Sequence, residues 1–226
     1  MAAVIQPKSE TKKYAPFDRV SEGVFTQESQ IKFIRKLVAK NQILFTEGES
    51  AAGFYIVEKG SFRSFRSSGT AGKQQTFQIY TSGKWLGIRD AAYGGTYLHN
   101  AIALEDSIVQ FIEESELKRL LGSDTDFQSF VFYQIAKDSV EAENKIYSLG
   151  TRQVHAKLSE FLLESMDRNA EEVDLPITRE VIASIIGVTT ETLVRALTDL
   201  KSRGWVDIDK RKVCVKNRLA LRKLLD

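Results

Sequence analysis

The hydrophobic pattern changes period near the middle of the chain. In the first half, apolar positions come in short runs such as Gly53-Phe54-Tyr55-Ile56-Val57, Thr76-Phe77-Gln78-Ile79-Tyr80 and Asn100-Ala101-Ile102-Ala103-Leu104. Nine of the fourteen glycines lie between Gly48 and Gly95, among these runs. Short β-rich segments separated by glycine turns predict an antiparallel roll. Residues 107–112 supply its last strand, with Ile108, Val109, Phe111 and Ile112 apolar, and residues 33–37 read as a short helix packed on the roll.

After Gly122 the texture is helical, with Ser123 or Asp124 as the N-cap of a helix running to about Leu149, ahead of Gly150. Within it Phe132, Ile135, Ser139, Ala142, Ile146 and Leu149 recur at alternating three- and four-residue spacing, the a/d seam of a coiled coil. Such a helix is longer than one small roll needs to cover its face, so the seam predicts a homodimer; a helix packed only on its own domain is the alternative. A third block begins near Gly150 and is helical to about Arg168, with Leu158, Phe161 and Leu162 on its apolar face, and residues 169–174 form an acidic loop.

The most informative stretch runs from Thr178 to Leu197. Two short helices cross closely only where a small residue sits at the contact and the turn accepts a left-handed backbone. Ala183 and Gly187, four apart, meet those needs, while Ile182, Ile186, Val188, Leu193 and Ala196 fall at inward positions. Thr178 can cap the first helix and Thr189 or Thr190 the second. The pattern predicts a helix-turn-helix, the alternative being some other tight helix pair. Thr190, Glu191 and Arg195 then project from the half of the second helix that reaches base edges in a major groove. Arg195 can bond guanine O6 and N7, and Glu191 can accept from cytosine N4. On an arbitrary helix the same two residues would be an ordinary i, i+4 ion pair.

Beyond it, Trp205-Val206-Asp207-Ile208 and Lys212-Val213-Cys214-Val215 alternate around a polar turn and predict a β-hairpin wing. The whole chain carries a formal charge of only +2, which by itself gives no hint of nucleic acid. The total conceals an asymmetry, because residues 195–223 hold ten basic and three acidic side chains. Lys210, Arg211 and Lys212 in the wing are the candidate phosphate contacts, with a solvated charge run as the plain alternative.

Composition, at 226 residues and 42% apolar, is that of a globular chain of one large or two small domains. A single cysteine, Cys214, cannot form an internal disulfide, a closed zinc site or an iron-sulfur cluster, and its use suggests a cytoplasmic protein. No apolar run of membrane-spanning length appears, and residues 1–10 lack a signal pattern. A metal-dependent enzyme on the roll would need two or three clustered histidines; His99 alone lies there, and His155 is the only other histidine. Cys214 has no histidine near in sequence to activate it, so no enzyme is expected.

The predicted class is α+β: a 1–29 extension, a jelly-roll-like β-roll over 30–122, a dimerisation helix over 123–149, and a winged helix-turn-helix over 150–226. This order resembles the CRP/FNR family of bacterial transcription regulators. The resemblance is carried by Gln42-Ile43-Leu44-Phe45-Thr46-Glu47-Gly48-Glu49 leading to Phe54-Tyr55-Ile56-Val57-Glu58-Lys59-Gly60, by Gly83-Lys84-Trp85-Leu86-Gly87, and by residues 177–195. It implies double-stranded DNA and RNA polymerase as partners, with the family's base-reading glutamate and arginine on Glu191 and Arg195. It likewise places the family's phosphate-contacting threonine and arginine on Thr178 and Arg179.

The departures matter as much. Cyclic-AMP-binding members have a glutamate after the glycine that matches Gly87, and an Arg-Ser or Arg-Thr pair further on; here Ile88 and the pair His99-Asn100 stand in those places. Neither swap preserves the chemistry. Residues 87–94 are instead more similar to the oxygen-sensing branch, whose iron-sulfur cluster the cysteine count excludes; haem has no supporting motif. A cyclic nucleotide would need an unusual pocket built on Gly87, Ile88, Arg89, His99 and Asn100, with Ala142 or Glu143 meeting the base. A ligand-free dimer, or another small molecule or partner as signal, are the alternatives. In the recognition helix, Thr190 replaces an arginine of the cyclic-AMP branch and Val194 a serine of the oxygen-sensing branch, so one direct base contact is lost and Val194 can meet a thymine methyl.

Overall fold

The computed structural model describes residues 31–69, 72–165, 172–174, 177–209 and 212–225. Two four-stranded antiparallel sheets face each other. One has the order β1-β8-β3-β6, from β1 (Ile34–Val38), β8 (Ser107–Glu113), β3 (Gly53–Lys59) and β6 (Trp85–Leu86). The other has the order β2-β7-β4-β5, from β2 (Ile43–Phe45), β7 (Asn100–Ala103), β4 (Ser61–Ser68) and β5 (Lys73–Thr81). Phe45, Tyr55, Val57, Phe62, Leu86, Val109 and Phe111 fill the space between them.

The unbroken apolar run of β3 has a simple cause: its two faces feed two cores. Tyr55 and Val57 point between the sheets, while Phe54 and Ile56 point outward beneath the helices. A strand buried on both faces reads as a continuous rather than an alternating pattern. The outer core is completed by α1 (Ile88–Tyr93), α2 (Glu114–Ser123) and the long α3 (Thr125–Thr151). There Trp85 stacks on Phe54 at 5.0 Å and meets Phe130 edge-on at 4.4 Å, with Leu117, Leu120 and Phe127 also buried. Each such side chain contributes about 1.5–3 kcal/mol on full burial. Asp124 caps α3 by accepting from the Phe127 N–H at 2.9 Å.

Four expectations need correction. Residues 33–37 form most of an edge strand, not a helix: β1 pairs with β8 along its length, and the apolar spacing misled because Phe33, Ile34 and Leu37 are exposed rather than packed. The helix α2 was not anticipated. Gly150 lies inside α3, and the next helix, α4 (Val154–Glu164), begins after the two-residue break at Arg152 and Gln153 and ends short of Arg168. Residues 172–174, read as part of an acidic loop, are strand β9 (Glu172–Asp174).

The C-terminal region contains α5 (Arg179–Ile186), α6 (Thr190–Ser202), β10 (Val206–Asp209), β11 (Lys212–Val215) and α7 (Arg218–Arg222). The wing is a three-stranded sheet, β10-β11-β9. Its core of Leu158, Leu162, Ile182, Ile186, Leu193, Leu197, Leu200, Val206, Val213 and Leu221 is separate from those of the roll, though Ile79 and Leu104 of the roll pack against it.

Candidate nucleic-acid interface

Helix α5 starts at Thr178, whose hydroxyl accepts from the Val181 N–H at 3.4 Å. It stops at Gly187, which has φ 72°, so the chain turns through a left-handed residue as the spacing required. Val188 then donates its N–H to the Ala183 carbonyl at 3.0 Å, drawing the turn against the small residue of the first helix. Thr189, not Thr190, caps α6 by accepting from the Thr192 N–H at 3.2 Å. The two helices are bent by 95°, within the range of helix-turn-helix pairs.

Burial divides α6 into two faces. Leu193, Ala196, Leu197 and Leu200 are buried in the domain core, whereas Glu191 and Arg195 are exposed and Thr190 and Val194 are half-buried beside them. The four sequence-predicted base-reading residues therefore share one accessible strip. The Glu191 carboxyl is held below its ordinary range, first by its own backbone N–H and then by the Thr189 hydroxyl. Thr178 and Arg179 lie at the N-terminus of α5, where the helix presents unpaired N–H groups.

Lys212 lies in β11, opposite Asp209 of β10; Lys210 and Arg211 lie outside the described residues. Two other basic residues of this region are engaged internally. Lys201 pairs with Asp207 at 2.9 Å, and Arg203 meets Asp199 at 3.0 Å. The same Asp199 Oδ2 lies 2.9 Å from His155 Nε2, which ties α6 to the start of α4. Arg203 in the first place keeps the Asp199 carboxyl below its usual range.

Of the predicted effector residues, only Arg89 and His99 come together, in a polar cluster with Asp90. Ile88 and Asp90 are buried, and Arg89 Nη2 donates to His99 Nε2 at 3.2 Å and reaches Asp90 Oδ1 at 3.4 Å. With Nε2 accepting, His99 is the neutral tautomer protonated at Nδ1; burial first, then Arg89, lowers its pKa. Asn100 is spent on the fold, donating to the Phe65 carbonyl at 3.3 Å and accepting from the Glu47 N–H at 3.2 Å. Ala142 and Glu143 are exposed on α3. The residue of α3 coupled electrostatically to Arg89 is Asp138, whose carboxyl burial pushes up. Sequence reasoning missed Asp90 and Asp138, and a buried acid beside a lone arginine left no spacing signal to find.

The predicted dimer seam is partly redistributed. Phe132, Ser139, Ala142 and Ile146 are exposed, but Ile135 packs on the outer roll core and Leu149 lies against Gly187. Exposed Tyr133, Val140 and Tyr147, spaced a heptad apart, extend the exposed stripe instead.

Two family profiles match, one on each side of α3: "Cyclic nucleotide-binding domain" over residues 35–124 and "Crp-like helix-turn-helix domain" over residues 156–224. The chain belongs to the CRP/FNR family of transcription regulators. Among CRP/FNR proteins it is 26% identical over 202 residues to the regulatory protein HlyX of Actinobacillus pleuropneumoniae, covering 87% of this chain and 83% of that one. It is likewise 26% identical over 194 residues to the nitrogen fixation regulation protein FixK of Azorhizobium caulinodans, covering 82% and 77%. The structure of FixK2 from Bradyrhizobium japonicum superimposes with a TM-score of 0.79 at 26% identity, over 86% of this chain and 98% of that one. This CRP/FNR architecture, a cyclic-nucleotide-binding-like roll followed by a DNA-binding winged helix-turn-helix, is the α+β fold described above.

Proposed function

We propose that the chain acts in the cytoplasm as a homodimer that binds a twofold-symmetric DNA operator sequence-specifically and regulates transcription through RNA polymerase. The observation that carries this is the accessible strip of Thr190, Glu191, Val194 and Arg195 on a helix whose other face is locked into the domain core. Arg195 and Glu191 read a G·C pair and Val194 a thymine methyl, while Thr178, Arg179 and the wing lysines and arginine, Lys210, Arg211 and Lys212, meet phosphates. The exposed stripe of α3, with Phe132, Tyr133, Val140, Ile146 and Tyr147, pairs two copies. It sets their recognition helices about 34 Å apart, one turn of DNA.

The roll senses something other than cyclic AMP bound in the usual manner. Arg89 is already matched by Asp90 and faces the field of Asp138, so a cyclic phosphate arriving there meets two acids and one arginine. Selection of bound duplexes from a random-sequence pool by the full-length protein tests the reading. A palindrome with half-sites one helical turn apart is expected; a pool that stays unenriched overturns it.

A further inference from the structure

The hairpin of β4 and β5 is more than a wall of the roll. It lies on α5, and the contact is built from polar groups that a casual packing of two domains would not bury. Thr76 of β5 is fully buried and Ser184 of α5 nearly so, and their hydroxyl oxygens are 2.7 Å apart. Ser184 spends its single hydrogen on the Val181 carbonyl at 2.7 Å. Thr76 must therefore be the donor in the bond between them. Its oxygen in turn accepts from Arg63 Nη1 at 3.1 Å, and Arg63 Nη2 donates to Gln74 Oε1 at 2.6 Å. Hydrogen bonds thus run in one direction, from a guanidinium of β4, through a hydroxyl of β5 and a hydroxyl of α5, to a carbonyl within α5. A charged donor at the head polarises each bond that follows.

Beside this relay, Gln75 Nε2 donates to the Ile185 carbonyl at 3.3 Å. That carbonyl is among the last four of α5, which have no partner inside the helix. The roll therefore supplies part of the C-terminal cap of the first helix of the helix-turn-helix. Ile79 and Leu104 add apolar contact at the edge of the same surface. The hydrogen bonds of this contact reach α5, whereas the strip of Thr190, Glu191, Val194 and Arg195 lies on α6, with Glu191 and Arg195 exposed.

We propose that Arg63, Thr76 and Ser184 are positioning residues for DNA binding: their relay holds the helix-turn-helix on the roll with its reading strip outward, making the β4–β5 hairpin a working part of the DNA-binding unit. The two-residue break at Arg152 and Gln153 would otherwise leave the domain free to swing, and a swinging domain gives up orientation entropy on meeting DNA. The inference rests on α6 being the DNA-reading helix.

The test uses the full-length protein and a duplex that the wild type has selected from a random-sequence pool. Thr76→Val keeps the shape and removes the hydroxyl, Thr76→Ser keeps the hydroxyl, and Ser184→Ala cuts the relay from the other side. Loss of one net hydrogen bond predicts about fivefold weaker binding for Thr76→Val and Ser184→Ala. Faster amide hydrogen exchange across residues 179–187 should accompany it, with Thr76→Ser within about twofold of wild type. The Thr76→Val/Ser184→Ala double variant should bind no more weakly than the weaker single variant, because both cut one chain. Wild-type affinity in Thr76→Val, an equal loss in Thr76→Ser, or losses that multiply would each overturn the relay. If Thr76→Val does not fold, Ser184→Ala carries the comparison. Failure of the wild type to select any duplex would count against α6 as the reading helix, and hydrogen exchange would still report whether the relay holds α5.

Discussion

Leu149, in the last turn of the long helix, lies against Gly187, the turn residue of the helix-turn-helix: its Cδ2 is 2.8 Å from where a Cβ on Gly187 would stand. The glycine thus answers to two demands at once, a left-handed backbone and the close approach of a neighbouring helix. Gly187→Ala should cost about 1–2 kcal/mol for the backbone alone, with a further loss as Leu149 is displaced. Thermal denaturation with parallel DNA-binding titrations checks this; an unchanged melting temperature would mean the turn relaxes without strain.

The exposed stripe on α3 carries its own prediction. Phe132 is 78% and Ile146 71% exposed in the single chain, an apolar display that a lone protein rarely maintains on one helix face. Phe132→Glu and Ile146→Glu should each convert a dimer to a monomer in sedimentation, and DNA affinity should fall with it. A wild-type chain that sediments as a monomer at micromolar concentration would remove the premise.

Glu116 offers a pH signature. The carboxyl is nearly buried, accepts from Arg119 at 2.7 and 2.9 Å and from the Lys32 N–H at 3.1 Å, and these bonds lower its pKa to about 2 from an ordinary 4.5. A carboxylate depressed by folding stabilises the native state above its unfolded pKa and loses that contribution as pH falls from about 4.5 toward 2. Melting curves of Glu116→Gln should lie below wild type at neutral pH and converge with it in acid. A constant offset at every pH would show that Glu116 acts by shape alone.

At the reading strip, Arg195→Ala should weaken binding to a selected duplex by about 1–3 kcal/mol and relax preference at a single G·C pair. A loss equal across all sequences would place Arg195 on the phosphate backbone instead.

The helix-turn-helix was legible almost residue by residue. Its requirements are local, so Thr178, Ala183, Gly187 and Leu193 could be assigned from spacing, and the structure places each in the expected role. The strand runs of β3, β5, β7 and β8 were legible for the same reason. What escaped was set by tertiary contact. The edge strand β1 exposes most of its apolar residues and is held by its ladder to β8 and by the Arg35–Glu58 pair, which leaves no periodic trace. The exposed stripe differs from the predicted seam because Ile135 and Leu149, which fit the heptad as well as their neighbours, are claimed by the roll and by Gly187. Asp138 beside Arg89, and Ser184 beside Thr76, come from distant parts of the chain, and single-sequence spacing cannot bring them together.

The pairing of Lys201 with Asp207 and of Arg203 with Asp199 bears on how binding should respond to salt. Counterions leave DNA in proportion to the cations that actually replace them, at about 0.9 per phosphate contacted. Cations engaged with protein carboxylates exchange one partner for another and release fewer. The basic C-terminal stretch should therefore give a shallower dependence of affinity on ionic strength than its count of ten lysines and arginines suggests. More of its discrimination between sequences would then persist at cellular salt.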